Sequence, residues 1–149
     1  MEMGYEDWGK KVEQEMGPYI DLFCEELNKG TLSLQTKRRH VGNIELFLID
    51  YTVRYHEVAD RSQPLELFDV CLDYADFVGY FFIRKCMWAT PASTKQLCAS
   101  LKKFFKCMTD LGKLTEEEYA SLTNSWKEDV EGFVALAEDY DDLGSGFFF

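Results

Sequence analysis

Apolar residues recur at spacings of three and four along most of the chain, and strict alternation is rare. Trp8, Val12, Met16, Tyr19, Ile20, Phe23 and Leu27 make the stripe of an amphipathic helix over 5–28. Gly17-Pro18 lies inside it. Proline lacks an amide donor and clashes with the preceding turn, so a kink or two short helices is expected there. Asn28-Lys29-Gly30 should end the element, with Gly30 in a left-handed cap. Ser33 or Thr36, both N-cap types, opens a second helix that reaches Tyr55. Its stripe is Val41, Ile44, Leu48, Tyr51 and Tyr55, widened by Leu46 and Phe47. A polar connection follows. Leu65 to Ile83 then reads as a helix apolar on several sides and therefore central. Thr90 can cap a fourth helix, with Pro91 at its first position and Leu97, Leu101, Phe104, Phe105, Met108 and Leu111 as the buried stripe. Gly112 suits its C-terminal end. Thr115 to Glu118 forms a capping box for a fifth helix over about 116–139.

This pattern, with only 3 prolines, predicts an all-α fold: a single-domain bundle of about five helices in 149 residues. Hydrophobic residues make up 46% and charged residues 29%, which is globular rather than disordered. No stretch approaches the ~20 uncharged apolar residues of a membrane span. The first residues, MEMGYEDWGKK, are acidic and lack the apolar core of a signal peptide. Five cysteines, at 24, 71, 86, 98 and 107, are irregularly spaced with no C-x-x-C. That argues against a disulfide framework and against a zinc knuckle. A reducing, cytoplasmic location is the expectation.

Charge changes the picture more by its distribution than by its total of −11. Residues 31–56 hold 4 basic and 2 acidic groups, and residues 85–114 hold 6 and 1. The segments around them are acidic, most of all 115–149 with 1 and 10. Lys37, Arg38 and Arg39, with His40, crowd the start of the second helix, where cations oppose the macrodipole at a cost of up to ~1 kcal/mol. Such a placement is compatible with a role outside folding. Lys95, Lys102, Lys103 and Lys106 fall off the buried stripe of the fourth helix. They can contact phosphates, or form a solvated face paired with Glu116, Glu117 and Glu118.

Catalytic and metal chemistry find little support. Asp69, Asp73 and Asp76 line one helix edge, and His40 and His56 are the only imidazoles, without the spacing of a zinc or EF-hand site. The acidic cluster from Glu138 to Asp142 reads as a solvated helix end. The cysteines lack a local nucleophile signature, and the glycines are isolated, so no phosphate loop exists. No enzyme, metal or cofactor is expected. The aromatic run YADFVGYFFIRKCMW exceeds what one helix face buries, which marks Tyr80 and Trp88 as candidates for a protein interface. Phe147, Phe148 and Phe149 form a terminal aromatic cluster in an acidic, flexible tail over 140–149.

The segment TPASTKQLCASLKKFFKCMTDLGKLTEE is a capped helix with Leu, Lys-Lys-Phe-Phe and then a glycine turn. It follows a basic-tinged helix, a polar loop and an aromatic helix. This order resembles the N-terminal core-binding domain of tyrosine recombinases (phage integrases), a small SAM-like bundle, over residues 31–125. Residues 1–30 would be an added N-terminal helix. The resemblance implies a bundle that clamps one side of duplex DNA. By position it assigns Lys37, Arg38, Arg39, Lys95, Lys102, Lys103 and Lys106 to phosphate contact. The family's catalytic arginines, histidines and tyrosine have no counterpart here, and LTEEEY replaces its Asn-Pro after the glycine turn. Strand cleavage is therefore not expected of this chain by itself. The expected partner is double-stranded DNA or a protein–DNA assembly. The competing expectation is an acidic interaction or scaffold domain that binds a protein or a second copy of itself, and neither reading involves a membrane.

Overall fold

The computed structural model describes the backbone of residues 4–147 and the side chains of residues 4–141. Tyr5–Asn28 forms one helix, α1, which passes through Pro18, so the chain is not divided there. Pro18 and Gln14 both face solvent. The Gln14 carbonyl that loses its amide partner can therefore bond water. Nor does Gly30 take a left-handed cap. Lys29 stays right-handed, and the Lys29 and Gly30 amides bond the carbonyls of Glu26 and Leu27 at 3.2 and 3.1 Å. A tightened last turn satisfies those carbonyls without a left-handed residue.

The second helix, α2, is built of three contiguous pieces: Leu34–Glu45, a π-helical stretch Leu46–Tyr51, and Thr52–Tyr55. The Ser33 hydroxyl caps it by accepting from the Thr36 amide at 3.2 Å. The third, α3, comprises Leu67–Cys71, Tyr74–Asp76, a π-helical stretch Phe77–Phe82, and Ile83–Lys85. Each π stretch widens the turn, and each buries the same pattern of neighbours: Phe47, Leu48, Tyr51 and Thr52 in α2; Phe77, Val78, Phe81 and Phe82 in α3. The two stretches face each other. Phe47 and Phe77 lie 4.8 Å apart between ring centroids, and Tyr51 sits 5.4 Å from Phe77 and 5.6 Å from Phe81. Tyr55, expected on the buried stripe, is instead exposed beside this cluster.

Thr90 and Ser93 form a capping box at the start of α4, Pro91–Asp110, with Pro91 where its missing amide costs nothing. The helix ends in a Schellman arrangement: Gly112 donates to Thr109 at 3.0 Å and Lys113 to Met108 at 2.8 Å. Gly112 has φ of +76°, and it is the one positive-φ glycine among the described residues. Gly112→Ala should therefore cost about 1 kcal/mol by forcing a Cβ into the left-handed region. Urea denaturation monitored by circular dichroism checks this, with a lower midpoint and an unchanged slope as the expected result.

The expected fifth helix is two, α5 (Glu116–Thr123) and α6 (Trp126–Phe147). Asn124 and Ser125 separate them; both side chains compete with helical backbone hydrogen bonds. The break lets Trp126 pack on Tyr74 and Phe105, at 5.4 and 5.9 Å between centroids. The Tyr74 hydroxyl also donates to Asp129 at 2.6 Å and ties α3 to α6. Side chains beyond Asp141, and with them most of the expected tail and its three phenylalanines, lie outside the described residues.

The result is an all-α domain of six helices with no strand among the described residues. Helix α4 packs against all five others, so it, more than aromatic α3, is the hub. Thr94, Leu97, Cys98, Ser100, Leu101, Phe104, Phe105, Met108 and Thr109 are buried around it. Leu111, expected on that stripe, is exposed at the helix end. Only one strip of α4 faces water. Lys95, Lys102 and Lys106 fall within about 40° of one another on that strip, and Lys103 lies about 80° round from Lys95. A hub helix needs a solvated strip, and this alone accounts for polar residues there. It does not require four lysines.

Candidate nucleic-acid interface

Helices α2 and α4 lie side by side and share a polar seam. Asn43 donates to the Ser100 hydroxyl at 2.9 Å, and that hydroxyl donates to the Gln96 carbonyl at 3.1 Å. His40 Nδ1 lies 2.7 Å from the same hydroxyl. The Ser100 hydroxyl thus joins α2 side chains to the α4 backbone. His40 is buried. Burial lowers its pKa, and the positive charges of Arg39 and Lys103 lower it further. Cations from two helices thus act on one neutral imidazole.

A groove of about 440 Å³ opens beside this seam. Arg38, Arg39 and Asn43 line it from α2, Gln96 from α4, and Trp88 from the connection before α4. Glu45 and Asp50, further along α2, add negative charge to its lining. Trp88 is 58% exposed and packs edge-on against Phe82 at 6.4 Å. The Ser93 hydroxyl donates to the Trp88 carbonyl at 3.1 Å, so the α4 cap also holds this wall.

The seven basic candidates do not form one patch. Arg38 and Arg39 line the groove, Lys95 and Lys102 lie on the exposed strip of α4, and Lys103, whose charge bears on His40, also lines a separate pocket with Lys106, Glu26 and Asp110. Lys37 is half-buried and outside the groove. Lys106 is held by Asp110 at 2.8 Å and stands 5.9 Å from the Tyr119 ring centre on α5. The Asp110 bond and charge, with Glu116 behind them, raise its pKa. Lys106 is therefore engaged first by an acid one turn further along α4. Of the two aromatic candidates, Trp88 joins the basic groove. Tyr80 does not; it is exposed elsewhere on α3, with the Arg84 guanidinium 4.7 Å over its ring.

Several residues escaped the sequence reading. Ser100 and Asn43 hold the seam, and their only trace in the sequence is polar character on largely apolar faces. Asp73 and Asp76, read there as one acidic edge, take separate partners. Asp76 accepts from the Tyr51 hydroxyl, and Asp73 accepts from His56 Nδ1 at 2.5 Å. Burial, then the Asp76 bond, pushes the Tyr51 phenol far above its usual range. Among the described residues no group of three or more His, Cys, Asp or Glu side chains could hold a metal ion. All five cysteines are free. Burial pushes Cys98 up to about 12 and Cys107 up to about 11, which disfavours the nucleophilic thiolate. No described helix is long and apolar enough to cross a membrane.

No family model matches the chain, and no curated protein or solved structure matches it either.

Proposed function

We propose that this chain is a non-catalytic binding module that contacts the phosphates of double-stranded DNA through the α2–α4 face, alone or within a protein–DNA assembly. The observation that carries the reading is the cationic surface where α2 meets α4: Arg38 and Arg39 line the groove there, and the charges of Arg39 and Lys103 both bear on the buried His40. Arg38 in the groove and Lys95 and Lys102 on the strip extend that cationic face. Cations at the start of α2 work against its dipole, which a phosphate-binding role accounts for and folding does not. The likeness of residues 31–125 to a recombinase core-binding bundle points the same way. The strongly acidic remainder opposes the approach of DNA, so affinity should be modest and steeply salt-dependent.

Fluorescence anisotropy with a labelled duplex over a salt series tests this. Binding should appear at low salt and weaken with a log–log slope of roughly −3 to −5, at about 0.9 per phosphate. A phosphate between Arg39 and Lys103 offsets their charges, so the His40 pKa should rise when DNA binds. Histidine NMR titration near pH 6.5 reads this directly. No binding at low salt, or binding with His40 unmoved, rejects the α2–α4 face.

A second reading has its own observation: Met87 is fully exposed and precedes Trp88, which lines the same groove. Exposed Met and Trp beside arginines suit a protein partner. Quenching of Trp88 by a partner protein without any response to DNA favours this reading.

A further inference from the structure

The groove between α2 and α4 has two unlike ends. Arg38 and Arg39 line one of them, beside the point where His40 meets Ser100. Neither arginine has an ion-paired partner among the described residues. Trp88 lines the other. The Ser93 hydroxyl holds the Trp88 carbonyl, and Ser93 precedes Ser100 by about two turns of α4, roughly 10 Å. Asp50 belongs to the Trp88 end, because it lies about three turns along α2 from Arg39. Burial, then the negative charge of Asp50, raises the pKa of Cys86, which places that carboxylate near the connection that carries Trp88. The groove is thus cationic at one end, and aromatic and acidic at the other.

Between the ends the walls are polar and the floor is open. Asn43 donates one amide hydrogen to Ser100, and the Gln96 amide has no partner among the described residues. Gly42, exposed on the floor, has nothing within 4 Å of where a Cβ would stand. A ligand can therefore lie against the backbone there. The volume of about 440 Å³ falls in the roughly 300–1,000 Å³ range of small-ligand sites.

We infer that this groove takes one unpaired nucleotide of a DNA strand, with an amino-bearing base. The phosphate meets Arg38 and Arg39, the base stacks on Trp88, and its exocyclic amino group donates to Asp50. The separation of the two ends is the reach of a single nucleotide from phosphate to base. A carboxylate at the indole end suits an amino group and repels a second phosphate, which gives the strand a direction in the groove. Paired bases are stacked inside a duplex and cannot enter. The inference rests on the reading of the α2–α4 face as a nucleic-acid surface, and adds to it a pocket for single-stranded segments.

Anisotropy of short labelled oligo(dC) and oligo(dT) strands and of a blunt duplex, at low salt, tests this, with tryptophan emission followed in parallel. Trp8 and Trp126 are buried and Trp88 is exposed, so quenching on binding reports Trp88. Oligo(dC) should bind saturably, quench emission, and bind several-fold tighter than oligo(dT), which has a carbonyl where cytosine has its amino group. Trp88→Ala should weaken oligo(dC) about tenfold, and Trp88→Phe should keep most of the affinity while abolishing the quench. Gly42→Leu fills the floor without removing a charge. It should weaken oligo(dC) about as much without lowering the thermal midpoint, since leucine forms helix better than glycine. Blunt-duplex binding should survive in all three variants. Oligo(dC) binding with no duplex binding supports the groove and rejects the duplex reading alone. Oligo(dC) binding unmoved by Trp88→Ala or by Gly42→Leu, equal affinity for the two strands, or equal losses for strand and duplex overturns the groove and leaves the phosphate reading standing. No binding of any probe overturns both.

Discussion

Phe77→Ala will remove about 3–5 kcal/mol of folding stability, the cost of truncating a fully buried phenylalanine and leaving a cavity. Phe77 is placed for the upper part of that range. Its ring lies against Phe47, Tyr51 and Phe81 at centroid distances of 4.8, 5.4 and 5.9 Å, so truncation strips contacts from three other rings at once. Two π-helical stretches bring these rings together. Neither helix can close the gap without giving up that backbone, so little relaxation is available. Against the ~5–15 kcal/mol typical of whole domains, the variant loses from about a fifth of the stability of the most stable to most of that of the least. The urea midpoint measures the loss. Leu72→Ala, a half-exposed position on the same helix, serves as the comparison and should shift it by well under half as much. Equal effects would mean that the aromatic cluster is not the core that the two π stretches build.

Arg39→Glu combined with Lys103→Glu should weaken duplex binding by about one to two orders of magnitude at low salt. It should also flatten the salt slope by roughly 2, one for each lost phosphate contact. Lys106→Gln should change neither, because that ammonium is engaged by Asp110. The double variant carries its own internal control. Both replaced residues are exposed, and removing two positive charges beside His40 should raise its pKa even without DNA. A raised His40 pKa with unchanged DNA binding discards the α2–α4 face while showing that the geometry is sound. An unchanged His40 pKa means that the variant has altered the seam itself.

Local patterns carried most of the helices. Trp8 through Leu27, Leu97 through Met108 and the Thr115–Glu118 box signal their helices by spacing and capping alone, because an amphipathic stripe and a cap depend only on neighbours in sequence. The two π stretches were not readable in this way. Their rings find partners only when a second aromatic helix lies opposite, which no local spacing shows. The break at Asn124-Ser125 is similar: the residues permit it, but Trp126 has to find Tyr74 and Phe105 for it to matter.

The candidate site divides along the same line. The sequence alone determined that basic residues cluster in two segments, that the chain lacks the familiar catalytic and metal motifs, and that the fold is helical. Those are properties of composition and short-range spacing. Which cations meet was decided only when α4 became the hub. Its register against α2 brought the charge of Lys103, with that of Arg39, to bear on His40. Its packing on α5 set Tyr119 beside Lys106, whose Asp110 partner is a local neighbour on α4, while Lys37 stands half-buried outside the groove. The same packing turned a row of aspartates into separate partners for Tyr51 and His56. A helix repeats every 3.6 residues whatever its surroundings, but the neighbour that each face meets is set by long-range packing, and electrostatics depends on the neighbour.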